Sequence, residues 1–264
     1  IFSDRGRAYW LKVHEIPDVG ADGRGKSIAN LVQMESGEKI ASMLAVREFD
    51  DTRHIVMGTK NGTIKKTELS AYSNPRAGGI IAMGIDDGDG VIAVQLSDGQ
   101  SEIFIGTRQG MAIRFPEDDV RPMGRTAYGV RGITLRDGDA VVAMEVVKPG
   151  GTLLTVTELG YGKRTPLDEY RVQSRGGLGL KNLEITDKNG RVIEIAQVNE
   201  DKELLLITEQ GKILRTPTEH IRTIGRATQG VRLMDLEDDD KVVSVALVVK
   251  DEELLKDEDT PPLS

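Results

Sequence analysis

The chain has 264 residues, of which 38% are hydrophobic but only 4% aromatic, and it contains 30 glycines. This composition is sufficient for a folded core and favours short strands joined by tight turns over long helices. The absence of cysteine excludes disulfides and zinc–thiolate sites, and no apolar run approaches the roughly 18 residues of a membrane span.

The formal net charge of −8 argues, taken alone, against a nucleic-acid partner. The distribution of the charge matters more than its sum. Six acids and one lysine between Asp251 and Asp259 contribute −5, which leaves −3 for the rest of the chain. A nearly neutral body can still carry a cationic stripe if its acids lie elsewhere.

The first recurring element is an apolar strand, a turn that ends in glycine, and a second strand with basic residues. It reads IFSDRGRAYWLKV from Ile1, HIVMGTKNGTIKKT from His54, EIFIGTRQGMAIRF from Glu102, TLLTVTELGYGKRT from Thr152 and ELLLITEQGKILRT from Glu203. The turn glycines are Gly6, Gly62, Gly110, Gly160 and Gly211, at separations of 56, 48, 50 and 51 residues. β-Branched and aliphatic strands around a glycine turn predict a β-hairpin, and the fixed period predicts a repeat protein.

Each hairpin is followed by a loop and by two more short strands, which an acidic turn such as Asp86–Gly90 separates. This pattern predicts four strands in each unit. Because such a unit cannot bury both of its faces alone, five units predict an all-β, propeller-like disc, with a linear β-solenoid as the alternative. The predicted units are residues 1–50, 51–98, 99–148, 149–200 and 201–250, followed by a disordered acidic tail at 251–264.

A second element recurs after each hairpin: a turn-forming residue, an arginine, a short spacer often containing glycine, and an aliphatic residue. The arginines are Arg24, Arg76, Arg125, Arg175 and Arg226. Arginine donates paired hydrogen bonds to phosphate oxygens and stays charged, and the glycines let a phosphate backbone come close. A disc would set these arginines around one rim, where they suit a long anionic ligand.

More basic residues lie in or near the loops and hairpins. The candidate contacts among them are Lys26, Lys65, Lys66, Arg108, Arg114, Lys163, Arg164, Lys212 and Arg215. Two interpretations stay open at this point. The loop arginines bind phosphate, or they bridge one blade to the next through a carboxylate, and the other basic residues bind phosphate or only form a solvated surface.

Two long runs carry a resemblance to a known family. They are GYGKRTPLDEYRVQSRGGLGLKNLEITDKNG from Gly160 and TEHIRTIGRATQGVRLM from Thr218. Both resemble the C-terminal domain of the bacterial DNA gyrase A subunit, and the resemblance extends over all five repeats. It implies a β-pinwheel, a propeller-like disc whose blades exchange strands with their neighbours. It also implies sequence-nonspecific DNA binding and wrapping around a basic rim, which serves negative supercoiling.

The chain departs from that family pattern in one respect. The family normally has six blades, and the first carries a basic heptapeptide of the form QRRGGKG, the gyrase A box. The nearest stretch here, QSRGGLG from Gln173, lies in the fourth repeat and lacks one arginine and the lysine. Since the first repeat begins inside a strand at Ile1, we expect that the first blade has been cut away and that wrapping is weaker. A naturally five-bladed form is the alternative.

No catalytic residue, metal site or cofactor is expected. The histidines His14, His54 and His220 have no metal-ligand spacing, and no tyrosine follows an arginine as the family's DNA-cleaving nucleophile does. The resemblance places that nucleophile in the N-terminal core, so the chain is expected to be a non-catalytic domain of an ATP-dependent type II topoisomerase.

The resemblance further implies the partners and the location. The expected partners are double-stranded DNA, the gyrase A N-terminal core and the gyrase B subunit, in the cytoplasm with the nucleoid and without a membrane. The alternatives are the C-terminal DNA-binding domain of topoisomerase IV and a protein-binding propeller with no nucleic-acid role. The acidic tail either competes with DNA for the rim or only adds solubility.

Overall fold

A computed structural model describes residues 1–18, 20, 23, 27–28, 31–74, 76–199 and 202–249. Within these residues the chain forms strands and short 3-10 helices, and no α-helix. The strands are β1 (Phe2–Ser3), β2 (Arg7–Ala8), β3 (Ile40–Ser42), β4 (His54–Thr59), β5 (Thr63–Glu68), β6 (Ile80–Ile81), β7 (Val91–Ser97), β8 (Glu102–Thr107), β9 (Met111–Pro116), β10 (Val130–Arg131), β11 (Val141–Val147), β12 (Thr152–Thr157), β13 (Tyr161–Pro166), β14 (Leu180–Lys181), β15 (Val192–Val198), β16 (Lys202–Thr208), β17 (Ile213–Pro217), β18 (Val231–Arg232) and β19 (Val242–Val249). The 3-10 helices are Val13–Glu15, Leu69–Tyr72, Glu117–Asp119, Leu167–Glu169 and Thr218–His220.

The strands form five antiparallel sheets, which confirms the predicted fold class of an all-β protein with five blades. Their strand orders are β3-β1-β2-β6, β10-β5-β4-β7, β11-β8-β9-β14, β15-β12-β13-β18 and β17-β16-β19. In the first four sheets one edge strand comes from the following repeat: β6, β10, β14 and β18 pair with the second hairpin strand of the preceding repeat. The blades therefore exchange strands, and the described residues give the fifth sheet only three.

The hairpins form where the glycine turns predicted them. In the fourth blade Thr152 pairs with Pro166 and Val156 with Gly162 around the turn at Gly160. Each acidic turn stabilises the hairpin of its own repeat, because the side chains of Asp89, Asp139 and Asp240 accept hydrogen bonds from the turn N–H groups of Asn61, Gln109 and Gln210. The recurrent acids thus satisfy backbone donors that the hairpin turns leave unpaired.

The hydrophobic core is divided among the contacts between successive blades. Four clusters of buried side chains follow one another along the chain, the first around Phe2 and Met57 and the last around Leu154 and Leu206. The strands β3, β7, β11, β15 and β19 contact one another in that order and form the inner layer. In the first four sheets the exchange strands lie on the opposite edge. The rim is therefore built by the loops that lead into them.

Candidate nucleic-acid interface

Three stretches of chain form the outer edge of the second, third and fourth sheets, and we call them the rim segments: residues 121–131, 171–181 and 222–232. Each runs along the second hairpin strand of the preceding repeat and ends in an exchange strand. Met123 N–H donates to the Lys66 carbonyl at 2.9 Å, Gln173 N–H to that of Arg114 at 2.8 Å, and Ile224 N–H to that of Arg164 at 2.9 Å. The rim segments are thus fixed to the sheets by backbone hydrogen bonds.

The rim segments share one charge pattern. Each carries three cations, spaced by four and then six residues, and contains no acid. The cations are Arg121, Arg125 and Arg131; Arg171, Arg175 and Lys181; and Arg222, Arg226 and Arg232. The first and third of each set are exposed, and the middle one is partly buried. A chain with a net charge of −8 therefore has nine cations in segments that contain no acid, and two of the nine, Lys181 and Arg232, form ion pairs with Glu184 and Asp235 just beyond their segments.

The middle cation of each rim segment is one of the predicted loop arginines, and it also has a structural role. Nη1 of Arg125 donates to the Ile81 carbonyl at 2.9 Å, and Nη1 of Arg175 to the Arg131 carbonyl at 2.9 Å. Arg226 repeats the contact with the Lys181 carbonyl at 2.7 Å. Each arginine thus forms a hydrogen bond with the exchange strand of the preceding repeat. The bridge runs to a backbone carbonyl and not to a carboxylate, and Nη2 of each stays unbonded among the described residues.

Two carboxylates and two buried lysines fix the backbone of the arginine loops. Glu169 accepts the N–H of Arg226 at 2.9 Å, as Asp119 accepts that of Arg175 at 3.2 Å. Nζ of Lys163 donates to the carbonyls of Asn182, Gly225 and Arg226, and Nζ of Lys65 donates to Thr67 Oγ1 and to the carbonyls of Ala82 and Arg125. Burial lowers the pKa of both lysines to about 7.

Four of the predicted DNA contacts are corrected, because their side chains are buried. Lys65 and Lys163 are 0% exposed, Lys66 is 3% exposed and Arg164 is 7% exposed. All four direct their donors into the protein. They support the rim from inside, so no phosphate can reach them in this structure.

In three repeats, the basic residue four positions after the turn glycine binds the 3-10 helix of the next repeat. Lys66 donates to the Glu117 carbonyl at 3.2 Å, and Nη1 of Arg114 donates to the carbonyls of Leu167 and Tyr170. Arg164 bonds the Ile221 and Glu219 carbonyls in the same way. Arg114 also bonds Glu102 and is only 11% exposed, so its predicted contact with DNA is corrected as well.

The remaining predicted residues lie at different places. Arg24 and Lys26 fall outside the described residues. Arg76 and Arg108 are exposed, the first in the loop of the second repeat and the second in the β8–β9 turn. Lys212 donates to the Asp235 carbonyl, and Arg215 forms an ion pair with Glu203 with a side chain 47% exposed.

The sequence reasoning missed six of the nine rim cations. They are Arg121, Arg171, Arg222, Arg131, Lys181 and Arg232. The signal was present, because the three segments can be aligned on the predicted arginine and then carry cations at identical offsets. What was missing was the knowledge that residues on both sides of the loop stay on the outer edge of the sheet. The exchange strands fix that position.

The described part of the chain offers no sign of two other kinds of site. No group of three or more histidines and acids there could hold a metal ion. No helix in the same residues is long and apolar enough to cross a membrane.

A disc of antiparallel blades that exchange edge strands, with a cationic outer rim, defines the class of β-pinwheel domains. A family described as "DNA gyrase C-terminal domain, beta-propeller" matches residues 1–47, 53–98, 101–148, 151–199 and 202–248. The chain belongs to the DNA gyrase C-terminal domain family. Its interpretation as a non-catalytic domain of a type II topoisomerase is confirmed by this membership.

Similar proteins agree with the family. The DNA gyrase A subunit of Halalkalibacterium halodurans is 52% identical over 258 residues, which are 97% of this chain and 31% of that relative. That of Salmonella typhimurium is 44% identical over 256 residues, 96% of this chain and 29% of the relative. The chain therefore spans about a third of the length of these relatives.

Two solved structures are similar in fold. The C-terminal domain of DNA topoisomerase IV has a TM-score of 0.88 with 27% identity, covering 98% of this chain and 83% of the other. A DNA gyrase A C-terminal domain has a TM-score of 0.81 with 28% identity, covering 94% and 81%.

Proposed function

We propose that this chain binds double-stranded DNA without sequence preference and bends it around the rim segments, in the service of negative supercoiling by a DNA gyrase. The observation that carries the proposal is the threefold repetition of three cations without an acid in residues 121–131, 171–181 and 222–232. A small anionic ligand needs one cluster. A strip repeated over three adjacent sheets suits a ligand that extends along all of them.

The chemistry of the rim favours phosphate over base recognition. Eight of the nine cations are arginines, whose planar fork matches phosphate oxygens. Neutralised phosphates release counterions, which gives affinity without sequence information. The loop arginines are preorganised, since a backbone carbonyl holds Nη1 while Nη2 stays available for a ligand.

The whole protein adds further proposals. Because the relatives are gyrase A subunits of about three times this length, the partners proposed for this domain are the gyrase A N-terminal core and the gyrase B subunit. The setting proposed is the bacterial cytoplasm, with the nucleoid. The domain itself would deliver bent DNA to that core, and it needs no cofactor to do so.

The experiment compares two triple variants of equal charge. Arg121, Arg171 and Arg222 are changed to Gln in the first, and Lys39, Arg47 and Lys148, which are exposed outside the rim segments, in the second. Fluorescence anisotropy then measures the affinity for a labelled duplex between roughly 50 and 200 mM salt. We expect the rim variant to bind at least about tenfold more weakly, with a salt slope lower by about one for each phosphate that is no longer neutralised.

The control variant is expected to bind like the unchanged chain. Equally weakened binding in both variants would show that only net charge matters and would contradict a localised rim. No binding of the unchanged chain to duplex at low salt would contradict the proposal altogether and favour a protein-binding propeller.

A second candidate is the C-terminal domain of a topoisomerase IV, favoured by the higher TM-score of 0.88. The sequence identities of 44% and 52% to gyrase A subunits favour gyrase. The intact enzyme distinguishes the two, because only a gyrase introduces negative supercoils into relaxed plasmid in the presence of ATP.

A further inference from the structure

Two buried lysines bond the backbone of two loop arginines. Lys65 and Lys163 occupy equivalent positions, three residues after the turn glycine of their hairpins, and both are 0% exposed. Nζ of Lys65 lies 2.9 Å from the Arg125 carbonyl, and Nζ of Lys163 lies 2.5 Å from the Arg226 carbonyl. Each ammonium group therefore holds the main chain of a residue whose guanidinium is assigned to the phosphate contact.

The contacts of Lys163 require its charge. Its Nζ donates to three carbonyls, those of Asn182 at 2.7 Å, Gly225 at 2.7 Å and Arg226 at 2.5 Å. An ammonium group has three N–H donors, whereas a neutral amine has only two and a lone pair. Loss of the proton therefore leaves one of the three carbonyl oxygens facing a lone pair, and two of the three belong to the arginine loop.

The contacts of Lys65 have a less strict requirement. Its Nζ donates to the carbonyls of Ala82 and Arg125 and to the hydroxyl oxygen of Thr67. A threonine hydroxyl can donate as well as accept, so it can turn its proton toward a neutral amine. The neutral form of Lys65 thus keeps a hydrogen bond to each of its partners.

The ionisable groups around Lys163 leave its proton exchangeable near neutral pH. Burial lowers the pKa of Lys163 to about 7; the charge of Glu169 opposes this shift, and that of Arg226 adds to it. The hydroxyl of Tyr170 donates to Asn182 Oδ1 and is also buried, and burial raises its pKa, so it stays neutral. A phosphate bound at the loop adds a negative charge, which favours the ammonium form of Lys163.

The surroundings of Lys65 have the same effect. Burial, and then the charge of Arg125, lowers the pKa of Lys65 to about 7. The hydroxyl of Tyr72 shares the Ala82 carbonyl with Lys65, and burial raises the pKa of that hydroxyl to about 12. A phosphate at the Arg125 loop therefore also favours the charged lysine.

We propose that Lys163 and, less strictly, Lys65 are positioning residues whose charged forms hold the loop arginines for phosphate, so that the rim takes up protons when it binds DNA. The inference rests on the proposed function, since it assigns a proton linkage to the same interface. Phosphate favours the ammonium form, and the ammonium form in turn favours the loop conformation that binds phosphate. Duplex affinity is therefore highest below a pH of about 7 and falls as the pH rises through the pKa of the free lysines.

Isothermal titration calorimetry in buffers of different ionisation enthalpy counts the protons taken up with the duplex. For the unchanged chain we expect uptake of up to about one proton per lysine between roughly pH 7 and pH 8.5. Its affinity should fall on the order of tenfold from about pH 6 to pH 8.5, which is the effect of a rise of about one unit in one pKa on binding. Lys163→Met should remove most of the uptake and bind weakly at every pH.

Glu145→Gln is the matched control. The pKa of Glu145 is also about 7, but this residue lies in β11 of the inner layer. The control should take up protons with the duplex like the unchanged chain. If Lys163→Met weakens binding equally at every pH while proton uptake stays in place, the role of Lys163 is only structural and the proposal is overturned.

A second measurement needs no variant. The carbon-13 resonances of the lysine Cε atoms are titrated in the free and the duplex-bound chain, and the midpoint of the buried lysines should rise by about one pH unit on binding. Binding without proton uptake, with the same midpoints in both states, would overturn the positioning role and leave the cationic interface in place. If the unchanged chain binds no duplex even at about pH 6, the proposed function itself fails.

Discussion

The loop arginines show that one residue can be structural and functional at once. Arg125, Arg175 and Arg226 each use one guanidinium nitrogen to clasp a neighbouring exchange strand. The sequence predicted their recurrence and left two interpretations open. The structure supports a bridging role, although the arginine binds a backbone carbonyl and not a carboxylate. Nη2 stays available for the proposed phosphate contact.

The buried lysines show why single positions are hard to predict. In the run TIKKTE neither Lys65 nor Lys66 looks buried, because an outer hairpin strand normally faces solvent. Both are covered here, because the next repeat runs along β5 and offers carbonyl oxygens to their ammonium groups, that of Arg125 in the rim segment to Lys65 and that of Glu117 in the 3-10 helix to Lys66. Burial of these side chains depends on a partner about 60 residues away, which no local pattern reveals.

Two carboxylates of the inner layer carry a pH dependence that the sequence did not suggest. Burial raises the pKa of Glu145 in β11 to about 7, with a hydrogen bond from Gln95 opposing the shift. Burial, and then the charge of Glu145, raises the pKa of Glu194 in β15 to about 7. The folded state therefore favours the neutral acids more strongly than the unfolded state does.

The change Glu145→Gln tests this pH dependence. Because the folded pKa lies above the ordinary value of 4.5, the folded chain binds more protons between about pH 4.5 and pH 7, and its stability falls as the pH rises through that window. Glutamine, which stands at the equivalent position 95, removes the ionisation. We expect the variant to unfold like the unchanged chain at pH 4.5 and to be more stable by roughly 1–2 kcal/mol at pH 8.

Urea unfolding at the two pH values measures the difference. The same change in stability at both values would contradict a raised pKa of Glu145.

At the scale of elements, the hairpins were predictable and the exchange was predictable only from family resemblance. Glycine turns between aliphatic strands define each hairpin locally. The exchange strands β6, β10, β14 and β18 have two residues each, too few for any periodicity to show. The loops before these strands determine which strand each one pairs with, because they lead the chain from its own blade to the outer edge of the preceding blade.

The fifth blade differs from the others at its outer edge. Among the described residues no exchange strand covers β17, and its Ile213 is 62% exposed. The equivalent Ile64 in β5 is 0% exposed beneath β10. The prediction of four strands in each unit therefore holds for four sheets, each of which borrows its fourth strand.

The pairing of each exchange strand depends on the glycine just before it. Gly179 has a φ of 74°, and a Cβ there would lie 2.3 Å from the Ala112 carbonyl oxygen. We expect Gly179→Ala to lower the free energy of unfolding by roughly 1–3 kcal/mol, because β14 must move away from β9. Thermal unfolding measures this decrease.

Gly177→Ala, two residues earlier, is the matched control, since its Cβ would meet nothing nearer than 3.8 Å. It should change the stability by less than about 0.5 kcal/mol. Equal effects of the two substitutions would contradict a special requirement at Gly179.

At the scale of the whole molecule, the charge distribution decides function where the net charge misleads. The overall charge of −8 suggests no affinity for DNA, yet nine cations occupy rim segments without a single acid. The strand exchange places those segments on the outer edges of successive sheets. The sequence alone predicted a basic rim but assigned part of it to buried side chains, because it could not show which strand faces outward.

The most direct test of the account measures the distance between the ends of a bound duplex. Donor and acceptor dyes are attached to the ends of a duplex of about 40 base pairs, which is stiff when free because the persistence length is roughly 150 base pairs. The account predicts that energy transfer rises when the unchanged chain saturates the duplex, and that the variant lacking Arg121, Arg171 and Arg222 raises it less at equal occupancy. A duplex that is fully bound while its ends stay as far apart as in free DNA would contradict a rim that bends DNA.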